Sequence, residues 1–168
     1  MPNYKKNKLS HIDNRGKAKM VDISTKDSTL RNAKASCKVF LNDIAFNLVK
    51  ENNSKKGDVL GVARIAGIIA AKKTSDLIPL CHQVNLSKID IDFILNEKYS
   101  SILVKANTVT TDRTGIEMEA LVATSITSLT IYDMLKAVDK EIKITDIVLD
   151  FKDGGRSGKF FRTKPWSN

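Results

Sequence analysis

Asp133 and Lys136 stand three residues apart near the end of a segment, Thr114–Val138, whose pattern reads as one long helix. Residues at that spacing share a helix face. A carboxylate beside an ammonium shifts the proton affinity of both, as a general acid/base pair requires, and the same spacing also describes a plain surface ion pair. From Ile116 onward the charges of this segment are confined to Glu117, Glu119, Asp133 and Lys136. Between Glu119 and Asp133 lie thirteen residues, Ala120–Tyr132, all apolar or hydroxyl-bearing. A helix of that composition is covered on most sides. Its charges then sit at the rim or in pairs, because a lone buried charge is costly.

Other residues offer chemistry with a bland alternative beside it. Thr114–Gly115–Ile116–Glu117 fits a capping box, which would occupy Glu117 in holding the helix start. Glu119, next to Met118, has no such assignment. Lys56 precedes Gly57 and an expected helix start, where free amides and an amine could seat a phosphate. Asp58 competes for those amides, and a solvated lysine is the alternative. His82 follows the apolar run Leu77–Cys81, at the edge of the core; an imidazole there either shuttles protons or makes one structural hydrogen bond. Cys81 reads as a buried thiol rather than a nucleophile. His11 carries little signal. The run Gly154–Lys159 supplies backbone amides, Arg156 and Lys159 for an oxyanion.

The elements that must position these groups follow from patterning. Ala18–Ile23 and Arg31–Leu41 read as strands around a turn at Ser24–Thr29, and Asn42–Glu51 as a helix. Asp58 caps a second helix, Val59–Lys73, whose apolar positions 59, 62, 66, 69 and 70 follow the helical period. Gly67 inside it implies close packing against another element. Leu86–Leu95 alternates as a half-buried strand, and Ser100–Thr111 and Ile142–Phe151 supply two more. Two long helices and several antiparallel strands make an α+β sandwich with helices on one sheet face. No GxGxxG or GxxxxGK[ST] motif is present.

The 168 residues suit a single domain, with residues 1–10 as a mobile polar arm and 153–168 as a glycine-rich basic tail. The formal charge of +9 is held by the ends: residues 1–20 carry +5 and residues 151–168 carry +4, leaving 21–150 balanced. A basic shell for nucleic acid is therefore excluded. Two cysteines, Cys37 and Cys81, give no disulfide framework and no zinc spacing, and suit a reducing cytoplasm. No apolar run predicts a membrane span or a secretory signal.

Taken together, the runs MVDIS (20–24), KGDV and ARIAGI (within 56–68), AAKKTSDLIPLCH (70–82), TGIEMEAL (114–121), LTIYDMLKAVDK (129–140) and GGRSG (154–158) are specific. The sequence resembles the molybdenum cofactor biosynthesis protein C family, the cyclic pyranopterin monophosphate synthases. One departure is Gln83–Val84, where the family usually has Pro-Leu; it alters the turn that places His82.

The resemblance implies a ferredoxin-like fold, assembled as a homohexamer, a trimer of dimers, with pockets at the dimer interface. It implies a lyase that converts 3′,8-cyclo-7,8-dihydro-GTP to cyclic pyranopterin monophosphate and releases pyrophosphate. By the same resemblance Asp133, Lys136, Lys56 and His82 are catalytic. Leu80, Cys81, His82, Met118, Glu119, Glu117, Arg31, Arg156 and Lys159 contact substrate. No cofactor is implied; magnesium on the pyrophosphate is compatible with the chemistry, although no carboxylate cluster dedicated to it is visible. The competing reading, a basic RNA-binding module, needs aromatic side chains on exposed sheet positions. Leu86–Leu95 has only Phe93, on the inward parity, and Ser100–Thr111 has none.

Overall fold

A computed structural model describes residues 11–13 and 15–163; the expected arm at 1–10 and the end of the basic tail, 164–168, lie outside the described residues. The chain runs β1 (Thr29–Phe40), α1 (Asp43–Lys50), α2 (Val59–Lys72), α3 (Thr74–Leu77), β2 (Lys88–Asn96), β3 (Ser101–Asp112), α4 (Glu117–Leu135), β4 (Lys143–Asp153) and β5 (Phe160–Phe161). The sheet order is β2-β3-β1-β4-β5, every pairing antiparallel. With α2 and α4 as the crossovers, the first four strands form the β-α-β-β-α-β unit of a ferredoxin-like α+β fold.

Alternation decides the two sheet faces. Ala33, Ala35, Cys37 and Val39 of β1 and Ile102, Val104 and Ala106 of β3 are buried. Most of them join Val59, Ala63, Ala123, Ile131 and Leu135 of the helices in one core. The opposite face is polar: Lys34, Ser36, Asp90, Asp92, Lys105 and Asp150 line a shallow cavity of about 480 Å³ there. Among the described residues no helix is long and apolar enough to cross a membrane.

α4 is buried along much of its length although it is rich in hydroxyls. Thr127 Oγ1 donates to the Ala123 carbonyl (2.7 Å), Ser128 Oγ to Thr124 (2.6 Å) and Thr130 Oγ1 to Ile126 (2.7 Å). Each hydroxyl is satisfied one turn back, which removes the penalty of burying it. Cys37 packs against Ser128, and burial pushes its thiol up to about 11.

Four expectations are corrected. Residues 18–23 form no strand; only an isolated bridge, Ile12 to Ala18, is present. On α2 the inward face is small: Ala63, Gly67, Ala70 and Ala71 are buried, while Val62 and Ile69, expected to face in, are exposed together with Ile65. Gly67 explains the choice, because a Cβ there would collide with Thr127 and Ile91 and meet the Ala123 carbonyl at 3.0 Å. The capping box does not form: α4 starts at Glu117 after Ile116 with no side-chain cap, so Thr114 precedes the helix by too far. The helix is also shorter than expected, ending at Leu135 with Lys136 as its C-cap. Strand β5 had no sequence signal; it stacks Phe161 on Phe151 with centroids 4.9 Å apart.

The Gly67 contact generates a test. Gly67→Ala improves helix propensity by up to about 1 kcal/mol, yet the added methyl has no room. A net loss of about 1–3 kcal/mol is expected from overpacking, read from the urea midpoint of the variant.

Candidate active site

The main cavity, about 730 Å³, opens where four pieces of chain converge: the approach to β1, the loop after α3, the start of α4 and the turn after β4. It collects Arg31, Leu80, Cys81, His82, Glu117, Met118, Glu119 and Arg156, eight of the residues expected to contact substrate. Lys159 is not on its wall; its amine pairs with Asp153 at 3.3 Å. Lys26, Arg113 and Lys152 join Arg31 and Arg156 as wall cations. Sequence reasoning missed those three, together with His11 and Thr29. Arg113 abuts the TGIEMEAL run, which was the one available pointer.

Glu119 is almost fully covered, at 4% exposure. Burial pushes its carboxyl up to about 7; Glu117 and Asp112 repel the charged form as well, and a bond to its own backbone opposes the shift. Cys81 is held up in the same way, first by burial and then by the charge of Glu119, so it stays a neutral thiol. Glu117, free of a capping duty, faces Lys152 at 3.5 Å.

The glycine pair after β4 has a definite task. Gly154 and Gly155 both have positive φ, and a Cβ on Gly155 would run into the Arg31 guanidinium. Only a backbone without side chains can cross Arg31 that closely. Arg31 is fixed from the other side by its Nε, which donates to the Asp112 carbonyl at 3.3 Å. Arg156 and Ser157 then follow onto the cavity wall.

A second cluster lies at the far end of α4. Lys136 Nζ and Asp133 Oδ1 are 2.7 Å apart, and Lys56 Nζ donates to the Asp133 carbonyl at 2.8 Å. The hydrogen bond from Lys136, followed by its charge and that of Lys56, holds the Asp133 carboxyl below its ordinary value; the same bond raises Lys136. The phosphate seat considered at the start of α2 is already taken, since Asp58 accepts from the Gly61 amide at 2.8 Å. Asp133 is fourteen positions beyond Glu119, so at 1.5 Å per residue the two stand about 21 Å apart along the helix. The two clusters therefore stand apart at opposite ends of α4. Among the described residues, no three His, Cys, Asp or Glu side chains converge to hold a metal ion.

Comparison with known proteins bears on what the two clusters serve. A family model described as the MoaC family matches residues 20–155. A Clostridium botulinum protein named cyclic pyranopterin monophosphate synthase is 52% identical over 154 residues, 92% of this chain and 97% of its own. One of the same name from Heliobacterium modesticaldum is 49% identical over 154 residues, with the same coverage of each. An Arabidopsis thaliana protein, named as the mitochondrial form, is 50% identical over 155 residues, 92% of this chain and 57% of its own. With the family model covering most of its length and relatives this similar on either side, the chain belongs to the MoaC family.

Proposed function

We propose that the chain is a lyase of molybdenum cofactor biosynthesis, converting 3′,8-cyclo-7,8-dihydro-GTP to cyclic pyranopterin monophosphate and pyrophosphate. The observation that carries this reading is the pairing, in one cavity, of a buried carboxyl at about 7 with a wall of five cations. Rearranging a purine-derived skeleton into a pyranopterin requires protons to be delivered and removed. Glu119 is set to deliver one near neutral pH, and His82 on the same wall can relay it. Closing the cyclic phosphate expels pyrophosphate, whose growing negative charge Arg31, Lys152 and Arg156 are placed to stabilise. Asp133 remains ionised beside Lys136 and serves as the base, with Lys56 as a second amine. A charged nucleotide derivative as substrate suits a cytoplasmic enzyme.

The distance between the two clusters favours a site completed by a second copy. A two-fold interface that sets the start of one α4 beside the end of its partner's would bring Glu119 and Asp133 onto one substrate, twice per dimer. Val62, Ile65 and Ile69 of α2 and Leu129 of α4 are large apolar side chains left exposed, which such a partner would cover. A homohexamer built as a trimer of dimers satisfies both requirements.

Four outcomes are expected. Asp133→Asn lowers kcat at least about 100-fold, the usual weight of a general base, with the assembly unchanged by sedimentation; wild type inert toward the authentic cyclic substrate would sink the reading. Asp133→Asn and Glu119→Gln chains, each strongly impaired but measurable alone, regain about a quarter of wild-type activity when refolded as a random mixture, because mixed dimers then contain one intact site. As pH rises through about 7 Glu119 loses its proton, so kcat falls on the alkaline side, and Glu119→Gln abolishes that limb. Gly155→Ala displaces Arg31 and raises KM about tenfold with little change in secondary structure by circular dichroism.

A further inference from the structure

Four buried side-chain polar atoms among the described residues have no hydrogen-bond partner: His11 Nδ1, Thr29 Oγ1, Asn32 Oδ1 and Asn107 Oδ1. Two of the four residues, His11 and Thr29, stand on the wall of the main cavity. Folded chains pair nearly all of their buried polar atoms, so each orphan needs a cause. Two orphans on one cavity wall share a natural cause, which is a ligand that brings the partners.

Both residues are held by built structure. Lys19 N donates to the His11 carbonyl at 3.0 Å, and Ile12 bridges to Ala18. Asp13 Oδ1 accepts from the amides of Arg15 (2.8 Å) and Lys17 (2.9 Å), which fixes the turn between them. His11 thus reaches the cavity on a hairpin. Farther along the chain, Asp22 Oδ1 accepts from the Ser24 amide at 2.8 Å, and Val21 and Ile23 on either side of Asp22 line the same cavity as His82. Thr29 opens β1 opposite Asp112, two residues before Arg31. Lys26 and Arg113 share this part of the wall, and Arg113 Nη1 donates to the Ser24 carbonyl at 3.3 Å.

A hydroxyl and an imidazole among cations suit one kind of ligand atom, an anionic phosphate oxygen, to which both can donate. We infer that His11 and Thr29 are further substrate-binding residues, each giving a hydrogen bond to the phosphate chain of the nucleotide derivative. The inference rests on the proposed function and deepens it by assigning the phosphate end of the cavity two further hydrogen-bond donors beside its cations.

The test uses the assembled full-length protein, with inorganic tripolyphosphate as the calorimetric probe and steady-state turnover of the cyclic substrate beside it. Thr29→Val, which keeps shape and removes the hydroxyl, weakens tripolyphosphate about tenfold, the size expected of a hydrogen bond to a charged group, and Thr29→Ser restores it. His11→Phe, which keeps the ring on the hairpin, weakens it comparably, while His11→Asn retains most of the affinity. KM rises by the same factors and kcat is unchanged. Wild-type affinity in both Thr29→Val and His11→Phe would overturn the assignment, since packing alone would then explain the two side chains. Turnover by wild type with those variants unaffected overturns this assignment only. The expected binding pattern without turnover supports it and removes the reaction instead.

Discussion

The length of α4 sets the terms for everything this chain does. Nineteen residues in one continuous helix carry Met118 and Glu119 at one end and Asp133 at the other, with Lys136 as the C-cap. No side-chain motion can shorten that separation, because a helix this well packed does not bend through its own middle. Its rigidity comes from α2, whose inward face of Ala63, Gly67, Ala70 and Ala71 lets the two helices approach closely. The bulky residues of α2 are displaced outward as a result. The same packing therefore fixes the spacing of the two clusters and leaves Val62, Ile65 and Ile69 exposed on α2.

The two ends of α4 treat a carboxylate in opposite ways. A helix N-terminus favours an anion by about 0.3–1 kcal/mol, up to about 2 in sheltered sites. At Glu119 that preference loses: moving a carboxyl from 4.5 to about 7 corresponds to roughly 3 kcal/mol against the charged form, and burial is the main cause. At Asp133 there is no burial to fight, and the bond from Lys136 stabilises the charge. Lys56 and Lys136 add cations at the helix C-terminus, where the backbone carbonyls welcome them. One helix so holds a neutral acid and a charged base at the same pH.

Much of this was legible in the sequence, for identifiable reasons. Strands β2 and β3 alternate because one face is dry and the other wet, and Asp58 marks the start of α2 because its side chain does cap it. The inward face of α2 was misread because periodicity weighs apolar bulk, whereas the fold selected small volume at Gly67. Thr114-x-x-Glu117 had the composition of a capping box without its geometry, and Glu117 turned to Lys152 on a strand far away in sequence. The motif residues were legible singly. Which of them meet was not, since Arg31 and Gly155 are joined only by the β1–β4 pairing. His11 was passed over because its contact with the cavity is made by a hairpin whose strand pattern is too short to register.

The hydroxyl ladder inside α4 bears on how such a helix can change over time. Thr124, Thr127, Ser128 and Thr130 hand their protons back to their own backbone. A threonine bonded in this way asks nothing of the neighbouring helix except room. Exchange for alanine leaves no partner stranded except at Ser128, whose hydroxyl also meets the Cys37 thiol at 2.7 Å. To a hydropathy scale the segment looks half polar; to α2 it is hydrocarbon with notches. Drift along this helix is then governed by shape, and residues of quite different polarity are interchangeable at a position where one methyl group more is not.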